Sequence, residues 1–185
     1  MAADPQDATR AADTATRHPT SRRLTQPETA TCLDTLTGHI NVHLSRAGFT
    51  GPGHVYRWLK MIYRNQPAVT ALARRSGSKW AQFSDEPRRA VKEHAKGLVG
   101  GNRYWAINTG NLETFELRVF ASSLRPVQVQ AALGFAAASV EYTRDLTVPT
   151  IVGGGWSWPA FTAWLTARPG YAALRNEVEV LTCAC

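Results

Sequence analysis

Residues 104–120, YWAINTGNLETFELRVF, constrain the fold more than any other stretch. They read as two β-strands joined by a turn, with Thr109-Gly110-Asn111 as turn chemistry and aromatic or β-branched residues on both sides. In the second strand Phe115, Leu117 and Val119 point one way, and Thr114, Glu116 and Arg118 point the other. One face is therefore core, and the other carries a carboxylate and a guanidinium two residues apart. Such groups are costly to bury in an apolar strand unless they pair or hold a ligand.

Residues 38–46, GHINVHLSR, repeat the construction, with Ile40, Val42 and Leu44 on one face and Asn41, His43 and Ser45 on the other. GFTGPG then breaks the strand. Residues 54–65 have the period of an amphipathic helix, with Val55, Trp58, Leu59, Ile62 and Tyr63 inward and Arg57, Lys60 and Arg64 opposite. A helix over 67–75 follows, then an irregular or short extended stretch. Ser84 is positioned to cap a polar helix running to Lys96, and glycines at 97–101 lead back to the central strands. Residues 126–144 form a long helix with Val129, Ala132, Leu133, Ala136, Ala137 and Val140 on one stripe, and its alanines suggest close packing on the sheet. Pro149 and Gly153–Gly155 end that unit. Two shorter helices follow: one behind a Ser157 cap with Phe161, Trp164 and Leu165 inward, the other with Tyr171, Leu174, Val178 and Leu181. No βαβ alternation or internal repeat is present, so the expected fold is α+β: a mixed or antiparallel sheet with helices packed on one face and the polar faces of the strands on the other.

Residues 1–31 hold four Arg and four acidic residues and almost nothing large and apolar, and read as a disordered tail. The α+β domain is expected over 32–181, with a frayed end at 182–185. The net charge of +7 is local: 57–103 hold eleven Lys or Arg against three acidic residues, a net of +8. With Trp58, Tyr63, Trp80 and Phe83 interleaved, that segment is a candidate nucleic-acid or polyanion surface or a solvated face; the helix aromatics are better used as core. Cys32, Cys183 and Cys185 have no framework spacing, and no apolar run is long enough to span a membrane. A cytoplasmic protein without a membrane partner is expected. Gly153–Gly155 lacks the Lys-Ser/Thr of a phosphate loop, and there is no GxSxG.

Asn41, His43 and Ser45, with Glu116, Arg118 and Asn108, are the candidates for a shared polar face. A His and a Glu can contribute to a magnesium or manganese site, and an Arg can neutralise a phosphate or carboxylate. A surface ion pair on a half-exposed sheet is the alternative.

The order GHINVHLSR, GPGHVYRWLKMIYRN, RYWAINTGNLETFELRVFASSL and an Ala-rich helix ending in VEYTR resembles the later half of the putative amidoligase family, a glutamine-synthetase-like group of bacteria, phages and mobile elements. The resemblance covers about residues 38–168. It implies part of a glutamine-synthetase-like fold and an ATP- and magnesium-dependent ligase joining a carboxylate to an amine through an acyl phosphate. On that resemblance Glu116 and Arg118 are catalytic, His43 and Glu116 lie on the metal side, and Asn41, Ser45, Arg46, Asn108 and Asn111 bind substrate or nucleotide. Two departures stand out. The family's opening strand with two alternating Glu has no counterpart in residues 1–37, and its His-x-His strand reads Asn41-Val42-His43. The resemblance therefore implies an incomplete or partner-dependent ligase, with an exposed sheet edge and a second chain or upstream segment completing the sheet.

Overall fold

Alternating strands and amphipathic helices assemble as expected into an α+β fold, seen in a computed structural model that describes residues 38–75, 81–98, 100–102 and 104–183. The expectations placed on the 1–37 tail, Lys79, Trp80, Arg103, Cys185 and the Cys183 side chain lie outside what is described. Strands β1 (His39–Ser45), β2 (Ile107–Asn108) and β3 (Thr114–Ala121) form one antiparallel sheet in the order β1-β3-β2.

The register explains the faces. Leu44 pairs with Phe115, His43 with Glu116 and Val42 with Leu117, so apolar meets apolar and polar meets polar. Ile40 then pairs with Phe120, so three steps of β3 span two steps of β1, which is a β-bulge. Strict alternation would place Phe120 beside Glu116 and Arg118. The bulge returns it to the core, its ring 6.0 Å from that of Phe135. The first arm of the hairpin is shorter than expected because its neighbours bond elsewhere. Ala106 N donates to Gln82 O at 2.9 Å and Gln82 N donates to Tyr104 O at 2.8 Å, a parallel bridge at Trp105 just before β2.

Helix α1 (Pro52–Arg64) follows Gly51, whose φ of +141° favours glycine, and places proline in its first turn. All five expected inward residues are buried, joined by His54 and Met61. Trp58 packs between Phe49 and Phe115, joining helix to sheet. Helix α2 (Gln66–Ala73) ends at Arg74 in the left-handed region. The single polar helix expected over 84–96 is two, α3 (Asp85–Arg89) and α4 (Val91–Ala95), broken at Ala90. Ser84 does not cap it: its Oγ is buried without a hydrogen-bond partner among the described residues. Gly97, at φ +71°, ends α4 with bonds from Gly97 N to His94 O and Leu98 N to Glu93 O.

The long helix α5 (Pro126–Arg144) has the expected ends but a different buried arc. Leu133 and Ala137 are exposed, while Ala131, Phe135, Ala138, Ser139, Tyr142 and Thr143 are buried beside Ala132, Ala136 and Val140. The helix is packed on two sides, by α1 and by α7 (Ala172–Cys183), and meets the sheet mainly at β1. Its small residues serve helix–helix contact: a Cβ on Gly134 would sit 3.4 Å from Leu174 Cβ. Helix α6 (Trp158–Thr166) is capped as expected, Ser157 Oγ accepting from Ala160 N at 3.3 Å. Phe161 and Leu165 are buried, and Trp164 is half-buried with the Arg168 guanidinium 3.9 Å above its ring. No helix among the described residues is long and apolar enough to cross a membrane.

Candidate functional site: a polar row across the sheet

The pairing of β1, β3 and β2 brings residues from distant parts of the chain into one row. His43 faces Glu116 on one side of β3, and Asn108 faces Glu116 on the other. Glu116 is 8% exposed and sits at the centre. Its Oε2 accepts from Arg118 Nη1 at 3.2 Å and from Asn108 Nδ2 at 3.1 Å. Its Oε1 faces His43 Nε2 at 4.0 Å, beyond hydrogen-bond length. The other ring nitrogen, His43 Nδ1, lies 3.2 Å from Thr114 Oγ1, and the imidazole is half exposed. Asn41 shares the polar side of β1, and its Oδ1 is buried with no hydrogen-bond partner among the described residues. An orphaned buried acceptor is costly and rare, so it marks this face as chemically unfinished.

A second cation adjoins the row. Arg75 Nη1 donates to the Arg118 carbonyl at 2.9 Å. Burial first, and the Arg118 charge second, pull the Arg75 pKa below its ordinary value. The Arg75 guanidinium therefore lies close to that of Arg118. Nothing periodic in the sequence marks Arg75, because it lies beyond the end of α2, after the left-handed Arg74.

The other expected site residues build the loop that supports the row. Asn108 Oδ1 accepts from Gly110 N at 3.0 Å, and Asn111 Oδ1 accepts from Glu113 N at 3.0 Å; each side chain closes its own turn. Arg46 donates from Nε to Asn111 O at 2.9 Å and from Nη2 to Thr109 O at 2.6 Å, with its guanidinium 4.1 Å above the Phe115 ring. Burial lowers its pKa. Ser45 Oγ accepts from Ala47 N at 3.3 Å and caps the turn at 46–48. The structure thus gathers His43, Glu116, Arg118 and Asn108, with Asn41 beside them, and sets Ser45, Arg46 and Asn111 at the hairpin end. Gly101, unremarked in the sequence beyond its glycine run, presses on this loop: a Cβ there would lie 2.2 Å from Asn108 Oδ1 and 2.3 Å from Gly110 N.

Charge in the basic segment is partly committed to architecture. Arg57 donates from Nε to Thr143 O and from Nη2 to Arg144 O, each at 2.9 Å, at the C-terminus of α5 where a cation is favoured. Arg74 is paired with Glu177, and Lys60 and Arg64 lie over the rings of Tyr56 and Trp156. Arg88, Arg89, Lys92 and Lys96 on α3, α4 and their end are exposed, with Arg89 3.9 Å from Asp85.

As a metal site the row falls short on its own. No group of three His, Cys, Asp or Glu able to hold a metal occurs among the described residues. The row offers one carboxylate and one imidazole, and Arg118 already engages one oxygen of that carboxylate. Magnesium asks for an oxygen-rich set, so these residues do not by themselves fit it. No family model, curated protein or solved structure matches the chain.

Proposed function

We propose that this chain carries the anion-recognition part of an amidoligase-like site, one that joins a carboxylate to an amine with ATP as phosphoryl donor. The observation that carries the reading is the cluster at Glu116. One carboxylate, fixed by Arg118 and Asn108 with His43 4.0 Å away, lies on the polar face of an antiparallel sheet, and Arg75 adjoins Arg118. The order of the sequence segments that build it supports the same reading. Glu116 holds the Arg118 guanidinium in place, and its remaining donors are available to a phosphoryl or carboxylate oxygen. Arg75 adds positive potential beside it, and His43 offers a polar ring at the open end of the row. Asn108 is locked by its own turn, so it keeps the carboxylate from rotating. The activity belongs to a reaction in which a carboxylate oxygen attacks the terminal phosphorus of ATP and releases ADP, and an amine then attacks the acyl carbon, losing a proton as phosphate departs. The carboxylates that magnesium requires would come from beyond the described residues or from another polypeptide, and no step is assigned to the metal here.

Isothermal titration with a non-hydrolysable ATP analogue, with and without magnesium, tests the reading on the natural chain and on Glu116→Gln. Binding that weakens roughly tenfold or more in the variant, about 1.4 kcal/mol, is expected. Absence of binding by the folded chain, or equal binding by both proteins, would overturn it. Equal binding that falls steeply with salt would instead support a polyanion-binding protein using the exposed cations of α3 and α4.

A further inference from the structure

The two edges of the sheet differ. On the far side, Gln82 bonds the backbone of Tyr104 and Ala106, just before the two-residue strand β2. Strand β1, in contrast, has a ladder with β3 alone among the described residues. The bonds flanking that ladder fix which groups face out. Arg46 N donates to Glu113 O at 3.0 Å and Ser122 N donates to Gly38 O at 3.2 Å, so even-numbered residues of β1 bond inward. In an antiparallel ladder the alternate residues, His39, Asn41, His43 and Ser45, then turn their N–H and C=O outward. A free edge of this kind is a template for another strand, and no Pro, Lys, Arg, Asp or Glu within β1 guards it. Beside it, between β1 and α5, runs a groove of about 340 Å³ whose lining includes Leu44, Phe49, Ala137 and Val140 together with the charged Glu141 and Arg144. Ile40 and Leu44, both of the core face, are only half-buried.

We propose that β1 pairs antiparallel with β1 of a second copy of this chain, about a two-fold axis at Val42. The strand is self-complementary in this register. Ile40 falls opposite Leu44, Asn41 opposite His43 and His39 opposite Ser45, so apolar meets apolar and polar meets polar. The outward-facing residues pair with one another as hydrogen-bonded pairs, which gives up to about eight backbone bonds across the interface. Each Ile40 covers the second copy's Leu44 at its groove, completing burial that one chain leaves half done. The result is a closed dimer in which one sheet runs from β2 to β2, and both remaining edges are two-residue strands with Gln82 bonded just before them. The inference rests on this edge and the groove beside it and stands apart from the ligase reading.

Light scattering after size exclusion tests it. The natural chain is expected at twice the 20.3 kDa of one chain. Ser45→Pro removes one outward donor where φ is already −58°, as proline requires, and an outward edge N–H is a position where proline is tolerated. Ala137→Arg sets a long cation in the groove from an exposed position on α5. Each substitution is expected to raise the dimer dissociation constant roughly tenfold or more, with circular dichroism unchanged. Ala137→Arg leaves the β1 backbone untouched, so it decides the matter if Ser45→Pro fails to fold. A natural chain that runs at one-chain mass across its accessible concentrations, or a dimer that Ala137→Arg leaves intact, would overturn the proposal.

Discussion

The seam between α1 and α5 and the polar face of the sheet handle buried polar groups in opposite ways. At that seam Trp58, His54 and Arg57 each close on a partner. Trp58 Nε1 donates to Ser139 Oγ at 2.9 Å, His54 Nε2 bonds Val140 O at 2.9 Å, and Arg57 donates to the carbonyls ending α5. Across the sheet, Asn41 Oδ1 has no hydrogen-bond partner among the described residues, Glu116 Oε1 stops 4.0 Å short of His43, and the guanidinium of Arg75 adjoins that of Arg118. Satisfied polar groups inside a core specify packing; groups left partly satisfied on a sheet face are positioned for something else. The same residue types, His and Arg, are therefore architectural in one layer and candidate ligand groups in the other.

The largest effect that can break this comparison lies in the helical layer. Trp58→Ala empties the junction of Phe49, Phe115 and α5 and removes the donor to Ser139 Oγ, and is expected to cost about 4 kcal/mol in urea unfolding. A loss below about 1 kcal/mol would show that α1 and the sheet are not joined there. Gly101→Ala acts from the other side. Its Cβ would displace the Asn108–Gly110 loop, so a loss of about 2 kcal/mol is expected, together with weaker binding of the ATP analogue. Unchanged binding would separate the loop from the row.

A pH dependence sharpens the contrast further. His54 accepts from Thr50 N at Nδ1 and donates from Nε2 to Val140 O, so its neutral form is the one that fits. Burial lowers its folded pKa below the ordinary 6.5. The unfolded chain then binds the extra proton first. The contribution of His54 is thus fully present above about pH 6.5 and is lost as pH falls through 6.5 toward the folded value. Unfolding free energy measured across that window is expected to fall on acidification, with a shallower fall in His54→Gln; equal slopes would mean that His54 is not locked neutral. The smallest effect is that of Ser157→Ala, about 1 kcal/mol or less, from loss of the cap on α6.

Much of this was legible in the residues. Alternation alone placed Glu116, Arg118 and His43 on one face, and the 3.6-residue period found the buried stripe of α1 and both ends of α5. The bulge was not legible, because Phe120 continues a strict alternation and only the pairing of Ile40 shows that the count slips. The arc of α5 was misjudged because a single stripe assumes one packing partner, whereas α1 and α7 bury two flanks and expose Leu133. Ser84 looked like a cap, but a side-chain cap depends on orientation, and its hydroxyl points inward. Arg46, read as a ligand group, spends its donors on the carbonyls of Thr109 and Asn111, a role set by a loop more than sixty residues away in the chain.

The central claim is that His43 belongs to a ligand face and His54 to the architecture. Proton–nitrogen NMR of the imidazole rings during titration with inorganic pyrophosphate, at a fixed pH above 7, tests it most directly. The account expects the His43 signals to move saturably, the His54 signals to stay in place, and the His43 response to weaken in Glu116→Gln. Saturable movement of His54 with His43 unmoved, or a His43 response indifferent to Glu116, would contradict it.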